Sequence, residues 1–150
     1  MTETTPAETL QLHGEKVFKA LQIEAYSNAA DKGFHDHDAE MEDRIFAARE
    51  SGDEALLKFL LRCKLDYLGN RLMLLVSETS ESHEELRNGK PLDYVYYRAD
   101  GKPEGLRTEM ADLAIRLFDT AEALGLNLFA DIMEKMTYNS GRPAMHGRQF

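Results

Sequence analysis

Two pairs of carboxylates have the spacing to do chemistry together: Glu78-x-x-Glu81 in "LLVSETSESHEELR" and Glu109-x-x-Asp112 in "LRTEMADLAIRLF". Both segments carry the apolar spacing of an α-helix, on which residues three apart project from one side about a turn from each other. Each pair can therefore aim two oxygens at one point. Two such helices packed antiparallel would surround a hard divalent cation. Mg²⁺ prefers carboxylate oxygens and keeps several waters, which leaves positions for phosphate oxygens. Acids at this spacing also decorate ordinary solvated helices, so their neighbours matter. On a helical wheel Leu74, Glu78, Glu81 and Glu85 form a stripe beside a face of Leu75, Val76, Thr79, His83 and Leu86. A stripe headed by leucine suits a cleft between helices better than bulk water.

The elements that must position these acids follow from the apolar periodicity. Residues 1–8 read as a polar tail. From Leu10 to about Ala30, Val17, Phe18, Leu21, Ile23 and Ala25 predict an amphipathic helix whose start is weakened by Gly14. "DAEMEDRIFAARESGD" predicts a short helix over Glu40 to Glu50, closed by Ser51-Gly52. Asp53 then caps a long helix whose Leu56, Leu57, Phe59, Leu60, Leu61, Leu65 and Leu68 cover more than one face. Gly69-Asn70 predicts a break or bend before the first carboxylate helix, which Asn88-Gly89 ends. Lys90 to Gly105 reads as a loop with an extended segment at Tyr94 to Tyr97. Leu106, Met110, Leu113, Ala114, Leu117, Ala121 and Leu124 predict one buried face of the second carboxylate helix, stopped by Gly125. On its other side Asp112 and Arg116 can form an i,i+4 ion pair. Asn127 caps a last helix with Phe129, Ile132, Met133 and Met136 as its buried stripe. The expected fold is all-α, a bundle of four to five helices in a single domain spanning residues 1–150.

Composition narrows the function. Eighteen basic against twenty-seven acidic residues give a formal charge of -9, which argues against a nucleic-acid partner and suits a cation-dependent site. The single cysteine, Cys63, lies in the apolar run "LLKFLLRCKL" and reads as a buried, inert thiol, which fits a reducing compartment. No apolar run approaches the roughly 20 residues of a membrane span, and "MTETTPAET" is no signal peptide. A cytoplasmic protein without a membrane partner is expected.

Other polar groups are candidates for a ligand. Phe34 and the histidines His35 and His37 stand in "GFHDHD" after a helix stop. The histidines read as part of a solvated turn, whereas Phe34 can fold back onto a ligand or the core. On the last helix Lys135 and Asn139 are four apart and Arg142 continues their line, an arrangement of donors that suits phosphate oxygens. The tail adds His146 and Arg148 as further cations.

Taken in order, these blocks resemble the MazG-like nucleotide pyrophosphohydrolases of the all-α NTP pyrophosphatase superfamily. "GFHD" at 33–36 is similar to the block that leads that domain. "LMLLVSETSESHEELRNGK" at 72–90 resembles its first metal helix and "DGKPEGLRTEMADLAIRLFD" at 100–119 its second. "EKMTYNSGRPAMHGRQF" at 134–150 resembles its closing block, with Lys135, Asn139, Arg142 and Pro143 in characteristic places. The likeness covers residues 23–150. It departs at 38–69, longer than in simple members, and at Ser82-His83, where small apolar residues are usual.

The resemblance implies Mg²⁺-dependent hydrolysis of a nucleoside triphosphate to the monophosphate and pyrophosphate by water attack on the α phosphorus, with Mn²⁺ as a substitute ion. It implies Glu78, Glu81, Glu109 and Asp112 as metal ligands, with one of the first pair, Glu81 in preference to Glu78, also the general base. Lys135 and Arg142 would neutralise the leaving pyrophosphate, Asn139 would orient a phosphate or sugar hydroxyl, and Phe34, His35 and Tyr138 would contact the nucleoside. Apolar residues flanking the main stripes, such as Ile115 and Phe118, point to a homodimer or homotetramer.

Rival readings remain distinct. A ferritin-like di-iron bundle needs Glu-x-x-His on its ligand helices, and none of the five histidines has an acid three residues before it. A different phosphoanhydride substrate, or a non-enzymatic helical interaction module, fits the same elements.

Overall fold

In the computed structural model, which describes residues 6–143, five helices and one short hairpin follow in order. They are α1 (Pro6–Ala30), α2 (Asp36–Glu50), α3 (Glu54–Arg87), β1 (Tyr96–Tyr97), β2 (Pro103–Glu104), α4 (Leu106–Ala123) and α5 (Leu128–Ser140). The all-α expectation holds. Among the described residues no helix is long and apolar enough to cross a membrane.

Helix α4 packs against both α1 and α3, α2 covers α3, and α5 lies on α1. Pairing across the central interface gives its sense. Arg71 of α3 faces Asp119 of α4, while Glu78, further along α3, meets Arg116 and then Glu109 and Asp112, earlier on α4. Residue numbers rise on one helix as they fall on the other, so α3 and α4 run antiparallel.

Local chemistry explains the ends. The Asp53 carboxylate accepts from the Leu56 amide at 2.9 Å, and the Asn127 side chain accepts from the Ala130 amide at 3.1 Å. Each satisfies an amide that the first helical turn would otherwise leave unpaired. Helix α1 begins earlier than the tail reading allowed, with Pro6 at its first position, where a residue lacking an amide hydrogen costs nothing. Residues 1–5 lie outside the described residues. Helix α2 begins at Asp36 instead of Glu40.

The expected break at Gly69-Asn70 is absent: α3 is one helix of 34 residues, about 51 Å long. One interior glycine weakens a helix by only about 1 kcal/mol, and packing against both α2 and α4 on either side of it outweighs that. The loop after α3 contains the extended segment in the form of a two-stranded antiparallel hairpin, with Tyr96 opposite Glu104 and Tyr97 opposite Pro103.

The buried apolar cluster is small and off-centre: Met41, Ile45 and Ala48 of α2 with Leu60 of α3, edged by Leu57 and Cys63. Cys63 is therefore half-buried at the margin instead of fully enclosed. A second contact joins α1, α4 and α5 through rings, with Phe18 set edge-on to Phe118 at 5.6 Å and 5.5 Å from Phe129. Gly14 belongs to this contact. A β-carbon there would stand 2.4 Å from the Phe129 ring, so the glycine that weakens α1 is what lets α5 approach it.

The interior side of α3 overturns the simple amphipathic picture. Its buried residues are Leu60, Arg71, Glu78 and Ser82, whereas Leu61, Leu65, Leu72 and Val76 are exposed. Helix α4 behaves likewise: Glu109, Thr120 and Ala121 are buried, while Met110, Leu117 and Leu124 of the expected inner stripe are exposed. On α5 Phe129 is buried but Met136 is exposed. Polar groups thus fill the α3–α4 interface.

Candidate metal centre

Glu78, Glu109 and Asp112 each offer a carboxylate oxygen, and the three oxygens lie within 4.8 Å of one another. Glu78 is 4% and Glu109 2% exposed, while Asp112 is half-buried. The antiparallel register of α3 and α4 creates this meeting, because it brings the third turn from the end of one helix to the first turns of the other. Oxygens bound to Mg²⁺ at about 2.1 Å can be at most about 4.2 Å apart. The cluster is within a sub-ångström side-chain adjustment of that spacing.

Glu81, one turn beyond Glu78, is exposed and stands at the rim, with its Oε1 accepting from the Ser77 hydroxyl at 3.2 Å. It is outside the tight trio but close enough that its charge helps to raise the Glu109 pKa.

Glu109 is the most unusual group of the cluster. Its Oε2 is buried with no hydrogen-bond partner. Burial, together with a hydrogen bond to Glu104 and the nearby Glu81 charge, pushes its pKa up to about 7 against the opposing pull of Lys102. Glu104 reaches it from β2. Burial acts to raise the Glu104 pKa as well, but Lys102, Glu109 and Arg98 outweigh it and hold that carboxyl below its usual range. The Lys102 Nζ is 3.2 Å from Glu104 Oε1. The hairpin is fastened to the end of α3 by the Tyr96 hydroxyl, which donates to Glu85 at 3.0 Å, and by Lys90, whose Nζ sits 3.5 Å over the Tyr96 ring.

Arg116 supplies the other resident cation. Its Nε donates to Glu78 Oε1, across the helix interface. The expected local pair with Asp112 is replaced by this contact, because Glu78 is the more buried acid and gains more from a charged donor.

Two turns further along the same interface lies a second polar cluster. His35 is buried, with Nε2 2.6 Å from Asp119 Oδ1. Arg71 Nη2 is 2.7 Å from both His35 Nδ1 and Asp38 Oδ2. The same Asp38 oxygen is 2.9 Å from His35 Nδ1, so the ring is held on one side by Arg71 and Asp38 and on the other by Asp119. The solvated-turn reading of His35 is therefore corrected. His37 does remain exposed, with its ring 5.0 Å from that of Tyr67.

A groove of about 600 Å³ connects the two clusters, with Glu78, Glu81, Lys102 and Asp112 at one end, Arg116 between, and Arg71, Asp119 and Phe34 towards the other. Phe34 is largely exposed at its edge.

Comparison with models of known protein families, with curated proteins and with solved structures finds no match for this chain.

The structure thus brings together Glu78, Glu109 and Asp112, places Glu81 and Phe34 on the same groove, and puts His35 behind its wall. It does not bring the α5 donors there. Lys135, Tyr138, Asn139 and Arg142 are exposed on or just beyond a helix that packs on α1, and none of them lines the groove. Lys135 and Arg142 instead stand over the Tyr138 ring, at 5.2 and 5.8 Å. His146 and Arg148 lie outside the described residues. Sequence reasoning missed Lys102 and Glu104, whose only signal was the charge alternation of "DGKPEG" just ahead of Glu109. It named Arg116 but gave it the wrong partner.

Proposed function

We propose that this chain is a Mg²⁺-dependent nucleoside triphosphate pyrophosphohydrolase of the MazG-like kind, cleaving between the α and β phosphates to release the monophosphate and pyrophosphate. The observation that carries the reading is Glu109 Oε2. A buried carboxyl oxygen without a partner is costly, and this one belongs to an acid that converges with two others at near-coordination spacing. Oxygen-only donors of this charge fit a hard divalent cation and fit zinc or copper poorly.

When bound, Mg²⁺ would supply electrostatic relief for the acids, attraction for phosphate oxygens and a lowered pKa for an adjacent water. Glu78, Glu109 and Asp112 would hold it. Glu81, exposed at the rim, is placed to complete the set or to take the proton of the attacking water. As that water bonds to the α phosphorus, the bond to the bridging oxygen breaks and pyrophosphate leaves with the electron pair. The groove is large enough for the remaining nucleotide, with the Phe34 ring at its edge offering a face for a base.

A homodimer or homotetramer belongs to the same proposal. Leu61, Leu65, Leu72 and Val76 are all exposed and fall within about 60° on α3 at 100° per residue, an apolar stripe that a second copy would cover. Lys135, Asn139 and Arg142 enter the substrate site only through such a neighbour, since they are remote from the groove of their own chain.

The deciding experiment is pyrophosphate release from a panel of ribo- and deoxyribonucleoside triphosphates with and without Mg²⁺. Release from at least one, absent without the ion, supports the reading. A chain that binds Mg²⁺ but cleaves none of them has another phosphoanhydride substrate. One whose thermal unfolding ignores both Mg²⁺ and nucleotide is an interaction module, because a ligand at a hundred times its Kd stabilises by about 2.7 kcal/mol.

A further inference from the structure

Two basic side chains stand at the candidate site, and Arg116 occupies a position that a bound cation would contest. The Arg116 Nε donates to Glu78 Oε1, and Glu78 is one of the three acids whose oxygens converge. Lys102 holds Glu104, an acid outside that trio. Each of the two basic side chains is about two-fifths exposed, 43% for Arg116 and 41% for Lys102, and both line the groove. They are attached at one end to acids of the candidate site and are otherwise free to turn into the groove.

A divalent ion held by Glu78 would stand within a few ångströms of the guanidinium on the same carboxylate, and the repulsion between the two positive charges weakens the hold of Glu78 on Arg116. Arg116 is then able to turn away from Glu78 when the ion arrives. Its donors are then unpaired beside a groove that has just lost negative charge, and a phosphate is the group that satisfies a planar fork of donors best. Lys102 need not be displaced, since Glu104 is not one of the converging acids; it lines the same groove as an exposed, compact point charge and adds a second contact for the anion.

We propose that Arg116 and Lys102 are phosphate-binding residues of the groove, with Arg116 stored on Glu78 until a divalent ion displaces it, so that the metal binds first and the anion second. This deepens the metal-dependent reading above and rests on it. It provides the groove with an anion contact within a single chain, whether or not α5 of a neighbouring copy adds to it.

The test is calorimetric and needs no turnover. Mg²⁺ is titrated into the wild-type chain, Arg116→Gln, Arg116→Lys and Lys102→Gln, and inorganic pyrophosphate premixed with Mg²⁺ is then titrated into each metal-saturated protein. The proposal expects Arg116→Gln to bind Mg²⁺ as tightly as wild type or more so, yet to bind Mg²⁺-pyrophosphate about tenfold or more weakly, with Arg116→Lys recovering part of the loss. Lys102→Gln, a change at an exposed hairpin position that leaves the helices untouched, is expected to bind Mg²⁺ within about twofold of wild type and Mg²⁺-pyrophosphate more weakly. Weaker Mg²⁺ binding in Arg116→Gln, with Mg²⁺-pyrophosphate affinity within about twofold of wild type, would make Arg116 a mere orienter of Glu78 and overturn the proposal. A wild-type chain that takes up no Mg²⁺ overturns the metal centre itself, a result distinct from failure of the variants alone.

Discussion

Arg71 on α3 and Asp119 on α4 face each other at 3.9 Å, each seven residues, or about two helical turns, from a member of the acid trio: Glu78 on α3 and Asp112 on α4. His35 locks the pair by bringing its Nε2 to 2.6 Å from Asp119 while its Nδ1 lies 2.7 Å from Arg71 Nη2. The cluster therefore fixes the register on which the distances among Glu78, Glu109 and Asp112 depend. Removing one partner from such a buried charged set leaves the others uncompensated, which costs about 3–5 kcal/mol. Asp119→Ala is expected to lose stability of that order in urea unfolding, and the surviving folded fraction is expected to bind Mg²⁺ more weakly. Loss of stability with unaltered Mg²⁺ affinity would show that the two clusters act independently.

Glu109→Gln isolates the metal ligand from the fold. The amide keeps the shape of the side chain, removes the charge that burial disfavours, and offers a poorer ligand to a hard ion. Pyrophosphate release is expected to disappear while the helical circular dichroism spectrum persists. Retained turnover would take Glu109 out of the mechanism.

The pH dependence of ion binding follows from the same carboxyl. Burial and its hydrogen bond to Glu104 raise the Glu109 pKa from 4.5 to about 7, so the folded, metal-free chain keeps this proton where the unfolded chain has lost it. Between those values the folded state binds more protons, and metal-free stability is expected to fall as pH rises from 4.5 to about 7. Mg²⁺ has to expel the proton, so its affinity is expected to climb over the same range and level off above it. Calorimetry in buffers of different ionisation enthalpy is expected to detect close to one proton released per ion at pH 6 and little at pH 8. Release that does not vary with pH would mean that Glu109 is already ionised before the ion arrives.

Elements that depend on neighbours in the chain were legible in the sequence, and contacts between distant residues were not. Asp53 and Asn127 cap the helices they were expected to cap because the acceptor and the amide it serves are three residues apart. The acid pairs were visible because three-residue spacing is a local property of a helix. Arg116 was given Asp112 as its partner on the same local logic, and Glu78, 38 residues away, holds it instead. His35 looked solvated because its partners Arg71 and Asp119 lie 36 and 84 residues further on. Apolar periodicity was least informative on α3, whose leucines cover more than one face and so do not say which side meets α4. The interface with α4 is polar, and Leu61, Leu65, Leu72 and Val76 stay exposed.

That exposed stripe makes the assembly testable. Leu65 is 67% and Leu72 55% exposed, so charges placed there leave the packing within one chain unaltered. The parent chain is expected to sediment as a dimer or tetramer, and Leu65→Glu combined with Leu72→Glu is expected to yield monomers in sedimentation velocity with helical content unchanged. If α5 acts on the groove of a neighbouring copy, Lys135→Ala and Glu109→Gln chains, each inactive alone, are expected to regain part of their activity when mixed. Absence of any recovery in verified mixed oligomers would remove Lys135 from the site.

Gly105 sets the start of α4 and through it the position of Glu109. Its φ of 121° and ψ of 165° fall in a region that is essentially reserved for glycine. A β-carbon there would also stand 2.5 Å from the Tyr94 carbonyl oxygen, a backbone atom that cannot turn aside. The Gly105 carbonyl accepts from the amides of Thr108 and Glu109, at 2.9 and 3.1 Å, so displacing it moves the first turn of the helix. Gly101 is the matched control: its φ is 87°, but nothing lies within 4 Å of its β-carbon position. Gly105→Ala is expected to cost about 2–4 kcal/mol and to weaken Mg²⁺ binding, whereas Gly101→Ala is expected to show a smaller stability loss and nearly wild-type Mg²⁺ affinity. Equal effects of the two substitutions on Mg²⁺ affinity would disconnect the tight approach at Gly105 from the placement of Glu109.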